Sequence, residues 1–171
     1  KKDAMGNTTT ISYDVTNTYP IKITNAKDFE TSYLYNLLGN ITQTTDENGV
    51  STKYRYDGLG RLTETLVPDP ANLTQYQTIS KKTYNFAGTP VSLTDFTLND
   101  AHPDKFQKTV SYVDGFGRSV QTKTEHDTNS FITSDQYYGS NGEISKKTLP
   151  YFSSSINFSQ DITKSSISYK Y

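Results

Sequence analysis

A short turn motif recurs along this chain, and the recurrence limits what the chain can fold into more than any other feature of the sequence. An aromatic residue, Asp or Asn, two further residues, Gly and a polar residue follow one another in YNLLGN (Tyr35 to Asn40), YDGLGR (Tyr56 to Arg61) and YNFAGT (Tyr84 to Thr89). The same unit with one extra residue is YVDGFGR (Tyr112 to Arg118). YDVTNT (Tyr13 to Thr18) carries Asn17 where the others have Gly, and Asn is the next-best residue at a left-handed position; YGSNGE (Tyr138 to Glu143) carries Gly139 in place of the acid. The copies start at residues 13, 35, 56, 84, 112 and 138, so the unit repeats every 21 to 28 residues.

Each copy has the parts of a hairpin. In KYRYDGLGRL (Lys53 to Leu62), Tyr54 and Tyr56 alternate with Lys53 and Arg55, so at strand periodicity the two rings share one face and the two cations the other. Asp57 can accept hydrogen bonds from backbone N–H groups ahead of it, Gly58 and Gly60 permit the tight reversal with Gly60 at its left-handed position, and Arg61 begins the return strand. The matching turn residues are Asn36 and Gly39, Asn85 and Gly88, and Asp114, Gly115, Gly117 and Arg118. A phosphate-binding loop is the competing reading of such glycines, and it requires an amphipathic helix after Gly60. RLTETLVPDP is Thr-rich, has no helical period and contains two prolines, so the anion site lacks its main part.

A second turn lies between copies. Asp46-Glu47-Asn48-Gly49 separates ITQTT from VSTKYRY, and Asn48-Gly49 is a strong hairpin signal. A repeat is then two strands and two turns, and the expected fold class is all-β, an array of antiparallel β-hairpins. AKDFETSYLYNLLGN (Ala26 to Asn40) could begin a helix capped by Asp28, but its register with KYRYDGLGR argues for strand and turn. Leu66 to Ser80 and Phe96 to Thr109 lengthen two repeats, and their Pro, Asn and Asp content reads as longer loops; Ser153 to Ser166 reads as a Ser-rich connector. The alignment reaches both ends: Gly6 precedes Tyr13 by seven residues as Gly49 precedes Tyr56, and Ser168 to Tyr171 resembles Lys53 to Tyr56 without the turn that should follow. Residues 1–171 are therefore expected to be a segment of a longer repeat array. Unpaired strand edges near Thr8 to Tyr13 and Ser166 to Tyr171 would let the isolated segment self-associate.

Composition narrows the function. Only 32% of the 171 residues are hydrophobic, and 14 Tyr and 8 Phe carry much of that, as suits a sheet with one moderately apolar face and one wet face. A net charge of -1 supplies no basic patch for nucleic acid. There is no Cys for thiol chemistry and no apolar run long enough for a membrane span. His102 and His126 lack zinc-site spacing, and Asp46, Glu47, Asp57 and Asp114 form no calcium loop, so no metal or cofactor is expected. No Gly-x-Ser-x-Gly elbow accompanies the many serines, which places a hydrolase last among the function classes.

The YDxxGR unit resembles the YD repeat of the Rhs family, which includes the teneurins and the B and C components of Tc insecticidal toxin complexes. TYPIKITNA (Thr18 to Ala26), ENGVSTKYRYDGLGRLTETLVPD (Glu47 to Asp69), YVDGFGRSVQTK (Tyr112 to Lys123) and LPYF (Leu149 to Phe152) are most similar to the Tc toxin B component, and Ser153 to Ser166 matches least. The resemblance implies a spiralling β-sheet forming the wall of a hollow shell around a toxic C-terminal polypeptide. The chain would be a non-catalytic structural segment of that shell, secreted or at the bacterial surface, with adjacent YD repeats, other toxin-complex components and the enclosed toxin as partners. Family members often cleave themselves at an Asp-Pro-rich site. Pro68-Asp69-Pro70 and His102-Pro103-Asp104 are the nearest strings here, and neither has the expected context. The alternative is a cell-surface adhesion or carbohydrate-binding module stacking sugars on Tyr33, Tyr35, Tyr54 and Tyr56, which requires those rings to be exposed.

Overall fold

The structure is a computed structural model that describes residues 1–100 and 106–170; the His102-Pro103-Asp104 string and Tyr171 lie outside the described residues. Among the described residues there are strands and no helix. In chain order the strands are β1 (Thr10–Tyr13), β2 (Pro20–Thr24), β3 (Glu30–Tyr35), β4 (Ile41–Thr45), β5 (Ser51–Tyr56), β6 (Leu62–Asp69) and β7 (Asn72–Asn85). They continue as β8 (Val91–Leu98), β9 (Phe106–Val113), β10 (Ser119–Asp127), β11 (Ser130–Tyr138), β12 (Ile144–Thr148), β13 (Tyr151–Ser153) and β14 (Ser166–Ser168). The chain divides into two compact units, Lys1–Lys81 and Lys82–Tyr171.

In the first unit each strand pairs antiparallel with the next, from β1 on β2 to β6 on the first part of β7. The Ala26 to Asn40 stretch is turn and strand, with Tyr33 opposite Thr44 in the β3–β4 ladder. In the second unit β8 to β12 continue the same meander, β13 pairs with the start of β11, and β14 pairs with β12. The ladder slips just before many turns, between Leu34 and Tyr35, Arg55 and Tyr56, and Tyr137 and Tyr138. A bulge there twists the strand into the reversal.

Such a sheet has little dry core. The buried apolar side chains among the described residues are Leu66 in the first unit and Val110 and Phe131 in the second. Stability must come mainly from the backbone ladder and from cross-strand side-chain pairs. Arg55 pairs with Glu64 at 2.7 Å directly across the ladder, Lys22 with Glu30 at 2.9 Å on the diagonal, both exposed and worth about 0 to 1 kcal/mol each, and Lys82 pairs with Asp95 at a part-buried site.

The two lengthened repeats depart from the loop expectation. Leu66 to Ser80 is mostly hairpin: Val67 pairs with Gln77 and Pro68 with Tyr76, and the chain reverses over Pro70 and Ala71, with the Ala71 N–H donating to Asp69 Oδ1 at 2.8 Å. Tyr76 alternates with Gln75 and Gln77, the β-branched Thr74, Thr78 and Ile79 suit a strand, and the proline-flanked Asp69 needs only two residues to turn the chain. Phe96 to Leu98 and Phe106 to Thr109 likewise extend the β8–β9 hairpin, Leu98 facing Phe106.

Candidate functional site

The turns share one construction. At Asp57 to Gly60, the Asp57 N–H donates to Arg61 O and the Gly60 N–H to Asp57 O, each at 3.0 Å. Asp57 Oδ1 accepts the N–H groups of Leu59 and Arg61. Gly60 stands at φ 75, the left-handed region that favours glycine. Asn36–Gly39, Asp46–Gly49 and Asp114–Gly117 repeat this network, with Gly39, Gly49 and Gly117 at φ 80, 77 and 76. Asn48, Gly58 and Gly115 occupy the middle of their turns.

The Arg of the motif closes the turn. Arg61 reaches Asp57 Oδ2 through Nε at 2.7 Å and Nη2 at 2.6 Å, and Arg118 holds Asp114 Oδ2 at 2.8 and 2.7 Å. These hydrogen bonds keep both carboxyls below the usual Asp range. The Arg118 guanidinium also lies 4.3 Å over the Tyr138 ring.

Asn85–Gly88 differs. Asn85 Oδ1 accepts the Ala87 N–H, but Gly88 is outside the left-handed region and the next peptide, Thr89–Pro90, is cis. A Cβ on Gly88 would sit 3.2 Å from the Pro90 carbonyl, so glycine here serves a close approach of the backbone. Two further turns of the common kind lack the aromatic residue of the motif: Asp3–Gly6, whose glycine aligns with Gly49, and Asn25–Asp28. Both carry the same bonds, with Asp28 at φ 60 filling the glycine position. The signal was the plain Asp/Asn-x-x-Gly/Asp spacing, without the aromatic.

The tyrosine of the motif is a tie. Tyr35 OH donates to Pro20 O at 2.8 Å, Tyr56 OH to Ile41 O at 2.7 Å and Tyr138 OH to Ser119 O at 2.8 Å, each binding one hairpin to the one before it. Tyr19 stacks on Tyr35 at 4.9 Å, and Tyr33, Tyr35, Tyr54 and Tyr56 are all half-buried. The Tyr35 and Tyr56 hydroxyls are thereby committed to the neighbouring hairpin.

YVDGFGR breaks the pattern for a geometric reason. Its extra residue places Tyr112 one position farther from the turn, and in a strand one position is the opposite face. Tyr112 therefore joins Val110 of β9, Gln121 and Lys123 of β10, and Thr133, Asp135 and Tyr137 of β11 on one face. Gln121, Lys123, Thr133 and Asp135 are almost wholly buried, although four polar residues alternating along strands read as a solvated face.

The Ser-rich connector buries them. Residues 154–165 leave β13, cross this face and return to β14 as a strap held through its own main chain. Lys123 Nζ donates to Ser155 O at 2.9 Å, Tyr112 OH to Ile156 O at 2.7 Å and Gln121 Nε2 to Ser159 O at 2.7 Å. The Ser159 N–H returns a bond to Gln121 Oε1, and Gln160 Nε2 donates to Val120 O and Gln136 O. Asp135 sits at the centre, accepting from Gln121 Nε2 at 2.6 Å, Tyr151 OH at 2.8 Å and the Asp161 N–H at 3.0 Å. Burial pushes the Lys123 ammonium below its ordinary pKa, partly offset by the Asp135 charge. Burial and the bond to Asp135 push the Tyr151 phenol far up.

A cavity of about 530 Å³ opens beside the strap, lined in part by Lys123, Tyr151, Ser155, Asp161 and Lys164. Within it Lys123 bonds the Ser155 carbonyl, Lys164 pairs with Asp161 at 3.4 Å, and Tyr151 is held by Asp135. His126 is exposed, its ring 5.3 Å from Phe152. Among the described residues no group of three or more His, Cys, Asp or Glu could hold a metal ion.

Residues 35–70 match the family described as RHS Repeat, and residues 87–171 match one described as a domain of unknown function, DUF6443. With its recurrent YDxxGR hairpins and the matched stretch at residues 35–70, the chain resembles the Rhs/YD-repeat family. Solved structures sharpen the likeness to Tc toxin chains. The crystal structure of TcdB2-TccC3 superimposes with a TM-score of 0.72 over 84% of this chain at 17% identity, covering 10% of that chain. TcdB2-TccC3 without its hypervariable C-terminal region gives 0.70 over 84% at 14% identity, covering 12% of that chain. The Photorhabdus luminescens Tc holotoxin pore gives 0.60 over 88% at 16% identity, covering 9% of that chain. At these identities the likeness is one of fold, and this chain spans about a tenth of the length of the chains it matches. No curated protein matches the sequence.

Gly39 and Gly49 allow a test of the turn geometry. Both have positive φ, but a Cβ on Gly39 would fall 2.5 Å from Tyr19 OH, whereas one on Gly49 would meet nothing within 4 Å. Gly49→Ala is expected to cost about 1 kcal/mol of backbone strain, and Gly39→Ala more, because the stacked Tyr19 must also move. Equal denaturant midpoints for the two variants would contradict this.

Proposed function

We propose that this chain is a non-catalytic structural segment of a toxin-encapsulating Rhs/YD-repeat shell, in a secreted or surface-borne bacterial assembly. The observation that carries the reading is the use of the chemistry-bearing side chains. The motif Asp and Arg close turns, the motif Tyr ties hairpin to hairpin, and the buried Gln121, Lys123 and Asp135 hold a strap. A wall needs residues spent in this way. Its partners would be neighbouring YD repeats, further toxin-complex components and an enclosed C-terminal polypeptide. The glycan-binding alternative is weakened by the half-buried, hydrogen-bonded tyrosines.

Limited proteolysis of the full-length gene product tests the enclosure. The C-terminal polypeptide is expected to resist protease at concentrations that digest the same polypeptide expressed alone. Equal digestion of the two would sink encapsulation and leave only a repeat scaffold.

A further inference from the structure

Asn-Gly occurs twice in the chain, at Asn48-Gly49 and Asn141-Gly142, and both pairs lie at exposed hairpin turns. The two turns share their backbone. The Gly49 N–H donates to Asp46 O and the Gly142 N–H to Gly139 O, each at 3.0 Å, with the glycines at φ 77 and 82. They differ in the residue that opens the turn. Asp46 Oδ1 accepts the N–H groups of Asn48 and Val50, at 3.0 and 2.8 Å. The Asn48 carboxamide is then left over, and it makes no hydrogen bond to the described residues. Gly139 has no side chain to offer. Asn141 takes the acceptor's place: its Oδ1 accepts the Glu143 N–H at 3.1 Å, and its Nδ2 donates to Glu143 Oε2 at 2.9 Å. A Cβ on Gly139 would lie 3.0 Å from that Oδ1, so the glycine is what leaves room for the Asn141 carboxamide.

The difference bears on a reaction that asparagine undergoes unaided and that makes it a thermolabile residue. The backbone nitrogen of the next residue gives up its proton to solvent base and attacks the carboxamide carbon. A new N–C bond closes a succinimide ring, the C–N bond of the carboxamide breaks, and the departing nitrogen takes a proton from water and leaves as ammonia. A second water then opens the ring at either carbonyl, yielding aspartate or isoaspartate. Glycine in the next position is the most permissive, because it has no Cβ and its backbone is freest to reach the required conformation. At Gly49 nothing stands within 4 Å of where a Cβ would be, so the ring has room to form. Releasing the Gly49 nitrogen from Asp46 O requires the turn to open at an exposed hairpin tip, which is among the least costly local motions of a fold. The Asn48 carboxamide needs no release. At Asn141 the same opening must also break two side-chain hydrogen bonds.

We propose that Asn48 is a site of spontaneous deamidation and that Asn141 is shielded from it by its bonds to Glu143. The product alters the β4–β5 hairpin in two ways. A carboxylate at position 48 joins those of Asp46 and Glu47 on one turn. Isoaspartate also adds a methylene to the main chain between Asp46 and Val50, whose N–H must reach Asp46 Oδ1 to close the turn, next to the Thr45–Ser51 hydroxyl pair at 2.8 Å. The reaction consumes only water and is independent of whether a toxin is enclosed.

Incubation in mildly alkaline buffer followed by peptide mapping with mass spectrometry tests it, using the folded whole chain, the same chain in urea and a folded Gly139→Asp variant. In the folded wild type Asn48 is expected to convert about tenfold or more faster than Asn141, the difference that two retained hydrogen bonds make. In urea both carboxamides are free, and the two rates should converge. Gly139 lies outside the left-handed region, so aspartate is admitted there; it supplies the missing acceptor and displaces the Asn141 carboxamide. Asn141 should then convert about as fast as Asn48, with circular dichroism showing the fold retained. Equal conversion of the two sites in the folded wild type, an Asn48 that stays intact there while the urea sample converts, or a preference that persists unchanged in urea overturns the proposal. An Asn141 that remains intact in folded Gly139→Asp overturns the shielding.

Discussion

Asp135→Ala is expected to lower the stability of the Lys82–Tyr171 unit by about 3 to 5 kcal/mol, the largest effect of any single substitution considered. Asp135 is fully buried and accepts three hydrogen bonds, from Gln121, Tyr151 and the Asp161 backbone. Truncation leaves those three donors without their buried acceptor, and it removes the negative charge that offsets burial of the Lys123 ammonium. An exposed control, Asp127→Ala, should change stability by no more than about 0.5 kcal/mol. Lys123→Met introduced together with Asp135→Ala should recover part of the loss, since the uncompensated cation is then gone as well. The measurements are denaturant midpoints and hydrogen exchange at the Ser159 and Asp161 amides, both of which bond to side chains of this cluster. Unchanged midpoint and unchanged exchange in Asp135→Ala would mean that the cluster does not hold the strap.

The physical reason for what the sequence discloses, and what it does not, lies in where the information is stored. The turns are local: an acceptor side chain at one position and a permissive backbone three residues on are enough, so Asp57–Gly60 and Asp114–Gly117 are legible from six residues. Asn25–Asp28 uses the same geometry with a residue that tolerates φ 60 less well than glycine, and its Asp28 reads equally as a helix cap. The strap is not local at all. Its docking uses main-chain groups of Ser155, Ile156 and Ser159, which every residue possesses, so the sequence there shows only low hydrophobicity. Lys123 and Asp135 are likewise ordinary strand residues until the strap covers them. One trace did exist: the extra residue in YVDGFGR turns Tyr112 to the strap face, where its hydroxyl finds Ile156 instead of a neighbouring hairpin.

The strap and the turn motif serve the same mechanical end in different ways. A sheet with three buried apolar side chains among its described residues cannot rely on a dry core, so polar ties perpendicular to the ladder carry the cohesion that packing would otherwise supply. In the first unit the ties are motif tyrosines reaching the preceding hairpin. In the second, the strap adds a second layer of backbone over the face. Both devices depend on phenol hydroxyls in their protonated, donating form, and that dependence fixes how the protein should respond to alkali.

Above about pH 10, stability should fall steeply. Burial raises the phenol pKa of Tyr35, Tyr56, Tyr112, Tyr137 and Tyr151, and for Tyr151 the bond to Asp135 raises it further. A group whose folded pKa lies above its unfolded value contributes stability below the unfolded pKa and loses it as pH rises through the folded one. Once pH passes about 10 the unfolded chain gives up these protons while the folded chain keeps them, so each retained proton steepens the decline by up to about 1.4 kcal/mol per pH unit. Lys123 works in the opposite direction. Its lowered pKa means that the unfolded chain holds that proton longer, so stability rises with pH from the folded Lys123 value to about 10.4, one group set against five tyrosines. Tyr151→Phe should start less stable at neutral pH, having lost its bond to Asp135, yet decline less between about pH 9 and pH 11. Urea midpoints across that window, read beside the ultraviolet absorbance of phenolate, measure both slopes. Parallel decline of the wild type and Tyr151→Phe would show that Tyr151 ionises in the folded chain as readily as in the unfolded one, and that the Asp135 cluster is open to solvent.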